Sequence, residues 1–480
     1  MSLEASMFLP ILPELLLLGL GVVVLALDLI LAPEQSRALA WVTAIGAGLV
    51  ILFSMFAPPT SQTRLNWGGM ISYDWLSFSL KMLFIFGAGV TALLAKDYED
   101  LGARGEFYIL MIASTIGMCF MASAADIIML YLAIETTSIP LYILAGFFKK
   151  DDKSTEAGFK YFLFGAMASA IMLYGFSLLY GFSGTTSIYN IAINLLEGRV
   201  AVIPVVGSLV LVLVGFAFKI SAVPFHFWAP DVYDGAPTPV AGFLSTASKA
   251  AGFAVLLRVM IVVFPMLAIQ WGAVLAALSV ATMTLGNLIA ISQRNIKRML
   301  AYSSIAHAGY ILIGVVAISP LGTTGVVLYL LVYLVTNMAA FGAVAALHRV
   351  SGSDDMSAYY GLSRRSPALA LVFLVSLLSL AGMPPLGGFI AKVIVFAAAV
   401  QSGLVWLAVI GVLNSIIGLY YYLTVLKYIY LYRSDDDDKP IPMTSSSKLA
   451  LVILSASIIL IGTLFAPWFN WASTAASAMF

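Results

Sequence analysis

At 480 residues, 62% hydrophobic and only 10% charged, with a mean hydropathy of +1.03, the chain lies far outside the range of soluble domains, where charged residues make up about a quarter. A formal net charge of +1 excludes the strongly basic face of a nucleic-acid-binding protein. One cysteine, Cys119, can neither ligate an iron–sulfur cluster nor close an internal disulfide, and no G-x-G-x-x-G or P-loop pattern is present to hold a dinucleotide or ATP.

In chain order, apolar runs long enough to cross a bilayer, about 18 residues or more, predict spans at 7–31, 38–57, 72–95, 106–122, 125–148, 157–182, 202–229, 237–264, 270–290, 296–317, 322–348, 366–399, 404–432 and 449–470. The first is read as retained, because Glu4 stands where a signal peptide carries positive charge and the run is too long for such a peptide's apolar region. Fourteen spans put both termini on one side. The even-numbered gaps, counted from the N-terminal tail as zero, carry only Arg64 and Arg199. The odd gaps, with the span ends that border them, carry Arg37, Lys96, Arg104, Lys149, Lys150, Lys153, Arg294, Lys297, Arg298, Arg349, Arg364, Arg365, Lys427, Arg433, Lys439 and Lys448. Positive loops stay cytoplasmic, so both termini are expected on the outer side, and the Asp435–Asp438 run is expected in a solvated cytoplasmic loop.

The remaining bases, Lys81, Lys160, Lys219, Lys249, Arg258 and Lys392, fall inside predicted spans. A Lys at the centre of a spanning helix costs about 2.5–3.5 kcal/mol on insertion scales, so Lys219 and Lys249 are expected to face a protein-lined interior and to act there. Pro224, five residues after Lys219, removes an amide and breaks span seven. Span twelve breaks as well, at Pro384 and Pro385 flanked by Gly382, Gly387 and Gly388, with Lys392 within two turns. A broken helix is tolerated at membrane depth where its freed carbonyls line a cavity or find partners. Spans seven and twelve are five apart and so cross in opposite directions, which points to an inverted repeat matching spans four to eight (about 106–264) with nine to thirteen (about 270–432). Spans before about residue 100 and the last helix, about 449–480, complete a single membrane domain.

Span five then answers span ten, offering Glu135 beside Thr136, Thr137 and Ser138 against His307 beside Tyr302, Ser303 and Ser304. Glu135 is expected as the counter-ion of Lys219, and small rearrangements of such a pair move a proton. Lys160, His226 and His307 are secondary candidates; His226 would relay protons or cap carbonyls freed by the break. Arg258 is expected to snorkel, and Lys81 to pair with Asp74 or anchor on the lipid side.

FKISAVPFHFWAPDVYDGAPTPVAGFLSTASKAAGF from Phe218, GNLIAISQRNIKRMLAYSSIAHAGY from Gly286 to Tyr310, and LSLAGMPPLGGFIAK from Leu378 to Lys392 closely resemble the antiporter-like, proton-translocating subunits of bacterial respiratory complex I, over nearly the whole chain. The chain ends shortly after span fourteen, without the long lateral helix of the largest subunit of that group, and carries Lys392 where another member has Glu. The resemblance implies that Glu135 is the span-five glutamate, Lys219 the central lysine, Lys249 the connecting lysine and Lys392 the exit-side lysine. It further implies a bacterial inner-membrane protein without cofactors or metals of its own, a translocase subunit of an NADH–quinone oxidoreductase. FMN, iron–sulfur clusters and quinone would reside in partner subunits, membrane and peripheral. The alternative is a large subunit of a multisubunit sodium/proton antiporter, which shares the repeat and the motifs.

Overall fold

The structure, a computed structural model, describes residues 7–32, 35–60, 63–98, 100–434 and 439–480. Glu4 and the Asp435–Asp438 run lie outside the described residues. Apolar runs leave the backbone no polar partner but itself, and the chain folds accordingly as helices. Among the described residues thirteen helices are long and apolar enough to cross a membrane, and a further crossing is made by two shorter helices in line, Pro367–Ala381 and Gly387–Gln401. These are the fourteen expected spans, numbered one to fourteen below, and the chain is a multi-pass membrane protein.

Both predicted breaks are present. Span seven is helical over Val202–Lys219, unwinds, and resumes at Trp228–Gly235. The unwound stretch includes Ser221 at φ +59°, and the freed backbone groups find side chains: Phe218 O accepts from Trp228 Nε1 at 3.2 Å, and Val223 N donates to Thr282 Oγ1 at 3.0 Å. Span twelve stops at Ala381, where Gly382 takes φ +85° and the double proline offers no amide to continue. Gly388 lets the two halves overlap closely; a Cβ there would lie 1.8 Å from Ser379 O.

Span eight was expected as one helix and is four pieces in line: α-helix Thr238–Phe243, π-helix Leu244–Ser248, α-helix Lys249–Arg258 and π-helix Val259–Val263. Wide turns of this kind are rare and gather at functional sites. Spans three, eight, ten and eleven form the interior, whereas spans one, two, six, thirteen and fourteen present apolar faces outward. Three small elements escaped the hydropathy reading. They are a hairpin pairing Arg64–Asn66 with Ile71–Tyr73, a helix at Ile188–Leu196, and a last helix, Phe465–Ser477, packed on spans three and eleven.

Two expectations are corrected. Arg258 does not snorkel. It is buried, 2% exposed, with its guanidinium bidentate to Asp74 at 2.8 and 3.0 Å and bonded to Ser72 Oγ and Ala122 O. Asp74 is thereby taken, and the partner of Lys81 is Glu14, 2.6 Å away, with Pro10 O as a second acceptor. Lys81 is buried rather than lipid-facing. Matching the charges in two closed pairs offsets much of the desolvation cost that had suggested surface positions.

Candidate functional site

Three buried lysines each stand at an interruption of helix. Lys219 is the last residue of the first half of span seven, Lys249 the first residue after the π-turn of span eight, and Lys392 lies in the second half of span twelve. They are 8%, 1% and 5% exposed, which excludes bulk water as their solvent.

Each ammonium is satisfied differently. Lys219 Nζ donates to Ser138 Oγ at 2.8 Å, and that hydroxyl in turn donates to Ile134 O. Lys249 Nζ donates to Ser304 Oγ at 2.6 Å and Ser304 O at 2.8 Å. Lys392 Nζ donates to Leu380 O and Ala381 O, both at 3.1 Å, and sits 4.8 Å from the centre of the Tyr310 ring. Those two carbonyls lie at the end of the helix that the proline pair cuts short. The break therefore manufactures the acceptors for the lysine.

Glu135, half-buried on span five, accepts from Ser169 Oγ and does not touch Lys219. It stands one turn from Ser138, close enough for its charge to act on the ammonium. The expected pair is thus not in contact, and among the described residues the two groups share no hydrogen-bond partner. Of the span-five hydroxyls named from sequence only Ser138 reaches Lys219, while Thr136 and Thr137 bond back to their own helix.

Span ten connects the other two lysines. Ser304 holds Lys249; Tyr310, two turns on, faces Lys392; between them His307 carries a tyrosine hydroxyl on each ring nitrogen. His226 is buried against Phe227, and its ring interacts with the Pro224 backbone at the break.

Lys160 belongs to a different group, at the end of the bundle that carries most of the bases. It is one-third exposed and bonds Asp231 at 2.5 Å and Glu156 at 2.6 Å; Arg298 meets the same Asp231 at 2.8 Å. Asn295 donates to Asp234 Oδ1 at 2.8 Å, and Lys297 donates to Asp234 O and Ala236 O. These contacts tie the short second half of span seven to spans six and ten. Beside them opens a polar cavity of about 420 Å³, lined by Tyr98, Asp234, Lys297, His348 and Asp354 among others. Tyr98 bonds Thr238, the first residue of span eight, at 3.1 Å. Burial would raise the Asp354 carboxyl, but the His348 hydrogen bond and the Lys297 charge hold it below the ordinary carboxylate range. Among the described residues no group of three or more His, Cys, Asp or Glu assembles a metal site.

A helical bundle with two interrupted spans and buried lysines at the interruptions has the features of an antiporter-like membrane subunit. Residues 124–418 match the family described as NADH:quinone oxidoreductase/Mrp antiporter, transmembrane, and the chain belongs to it. It is 43% identical to NADH-quinone oxidoreductase subunit N of Moorella thermoacetica over 97% of this chain and 98% of that one. With subunit N of Heliobacterium modesticaldum it shares 42% identity over the same fractions. Among solved structures it is similar to a chain of respiratory complex I from Thermus thermophilus with bound aureothin, with a TM-score of 0.81 and 32% identity, covering 95% of this chain and 98% of that one. A chain of the Mrp complex from Dietzia sp. DQ12-45-1b has the same fold, with a TM-score of 0.84, 22% identity and coverage of 100% and 98%. The resemblance drawn from the three motifs is borne out.

Residues missed in the sequence are Ser169, Asp231, Asp234 and the tyrosines around His307. A Tyr or Ser in an apolar helix carries little insertion penalty, so nothing in its composition marks it as the Lys residues are marked.

Proposed function

We propose that this chain is the proton-translocating subunit N of a bacterial NADH–quinone oxidoreductase. It moves protons from the cytoplasm to the outer side through Glu135, Lys219, Lys249 and Lys392. The observation that carries this reading is the placement of three buried lysines at three helix interruptions, with span ten linking Lys249 to Lys392 by polar side chains. At Lys249 and Lys392 an ammonium held by a hydroxyl and carbonyls has no fixed negative partner, so its proton can leave without stranding a buried anion.

The base-rich end is the cytoplasmic one, with both termini outside. The cavity beside Asp354 is the uptake mouth, leading through Tyr98 and Thr238 to span eight and Lys249. Release runs outward past Lys392. Quinone reduction in partner subunits, which hold FMN and iron–sulfur clusters, shifts the charge balance at Glu135 and with it the proton affinity of Lys219. One charge carried across the membrane is worth about 2.3 kcal/mol per 100 mV, the size of a modest change in lysine proton affinity.

The inverted repeat supports the reading. Span six, Asp152–Ser183, and span eleven, Pro320–Ser351, are each 32 residues long and each end on a left-handed glycine, Gly184 or Gly352. After each glycine the chain bridges back to the start of span five or ten, as Ser187 with Asp126 and Asp355 with Asn295. The sodium/proton antiporter alternative shares this fold. Mild-detergent extraction tests between them: flavin and iron–sulfur absorbance are expected to copurify with the chain, and their absence together with cation-driven exchange in vesicles would establish the antiporter instead.

A further inference from the structure

We propose that Tyr422 and Tyr329 are proton-relay residues, forming with Ser303 and His307 a hydrogen-bonded wire between the Lys249 and Lys392 regions; this rests on the lysines being proton carriers. The four side chains are buried and contiguous. Tyr422 OH bonds Ser303 Oγ and, at 3.2 Å, His307 Nε2, while His307 Nδ1 bonds Tyr329 OH at 2.8 Å. Ser303 and His307 are one turn apart on span ten, and the Tyr422 hydroxyl bridges that turn from span thirteen. Ser304, next to Ser303, holds Lys249, and Tyr310, on the far side of His307, faces Lys392. Both lysines are close enough for their charges to act on the ring.

A neutral imidazole carries one N–H and offers one lone pair, so between two hydroxyls it donates to one and accepts from the other. A proton arriving at Ser303 Oγ releases the serine's own proton to Tyr422, which passes its proton to Nε2. The Nδ1 proton then moves to Tyr329, and the Tyr329 proton departs toward Lys392. One proton enters, one leaves, and no net charge remains. Return of the ring to its Nδ1–H tautomer, by loss of the Nε2 proton and uptake of one at Nδ1 as the ring rotates away from the two tyrosines and back, with rotation of the three hydroxyls, restores the starting arrangement.

Span four supplies a contrast. Tyr108 is also buried, but its hydroxyl donates to the backbone carbonyl of Gly102 at 3.0 Å and meets none of the four side chains of the wire. A backbone carbonyl neither gains nor loses a proton readily, so that contact packs and orients without conducting.

The test uses the assembled complex in inverted vesicles, with NADH-driven proton uptake normalised to assembled enzyme. Tyr422→Phe and Tyr329→Phe are expected to lower uptake at least about fivefold, a fraction of the hundredfold or more that a positioned proton-transfer group contributes. Both should also change the solvent isotope effect on uptake, while Tyr108→Phe changes neither readout. Equal behaviour of Tyr422→Phe and Tyr108→Phe, whether both normal or both impaired, would overturn the wire. Lys249→Ala and Lys392→Ala separate the two levels. If they pump normally, the carrier reading itself fails; if they fail while Tyr422→Phe pumps normally, the wire alone does.

Discussion

The two broken spans solve one problem in two ways. In span seven the lysine precedes the break and is held by a side chain, Ser138, with a carboxylate one turn away. In span twelve the lysine follows the break and is held by the carbonyls that the break sets free. Side-chain ligands can rotate, and a nearby carboxylate can change its charge; backbone carbonyls at the end of a helix can do neither. Under the proposed function this would make Lys219 the modulated carrier and Lys392 the more rigidly held one. The asymmetry extends to the half-helices. The second half of span seven is tied to its neighbours by Asp231 and Asp234, whereas the far end of span twelve is tied by Ser402, which donates to Ala317 O.

The most severe way to break this contrast is to remove the modulated lysine. Lys219→Ala should reduce coupled proton uptake by at least about tenfold, on the scale of a lost proton-transfer group. Lys219→Arg should be as damaging because guanidinium holds its proton at all working pH. An arginine variant that pumps normally would make Lys219 a fixed charge. Next comes Glu135→Gln, expected to lower uptake about fivefold to tenfold by removing a nearby charge worth roughly 1 kcal/mol or more. Glu135→Asp should be milder, and Glu135→Gln combined with Lys219→Ala should lose less than the sum of the two, since coupled sites are not additive.

A smaller pair of changes sharpens the difference in ligands. Ser138→Ala deletes a hydrogen bond to a charged group and should cost uptake about threefold to tenfold without moving the backbone. No single hydroxyl plays that part for Lys392, so the matching perturbation is Pro385→Ala. By restoring an amide it should withdraw a carbonyl from Lys392 and impair uptake to a similar degree, with insertion unchanged. Normal pumping by Pro385→Ala would make the second break a packing feature.

The smallest effect concerns the base-rich end. Because the Asp354 carboxyl is held below its ordinary range, its contribution to stability is present above that range and is lost as pH falls through the lowered value. Detergent-solubilised protein should lose on the order of 1 kcal/mol on acidification, and Asp354→Asn should remove that dependence. A loss of the same size persisting in Asp354→Asn would assign it to another group.

Much of this was readable before any coordinates. Charge inside apolar sequence is expensive, so Lys219, Lys249 and Lys392 announce themselves, and proline with glycine marks both breaks. Hydropathy locates helices but says nothing of which faces meet. The pairing of Arg258 with Asp74 joins residues 184 apart in sequence, and the π-turns of span eight leave no trace in composition. His307 was legible as a rare residue in a span, whereas the tyrosines that complete its surroundings belong to a type common throughout the chain.

The Arg258–Asp74 contact also bears on how the protein is made. Asp74 enters the membrane with span three, and its partner is not synthesised until five more spans have followed. A chain halted before Arg258 would present an acid with no base, and a buried pair deprived of one member costs about 3–5 kcal/mol. Closure of that contact therefore waits until span eight is in place.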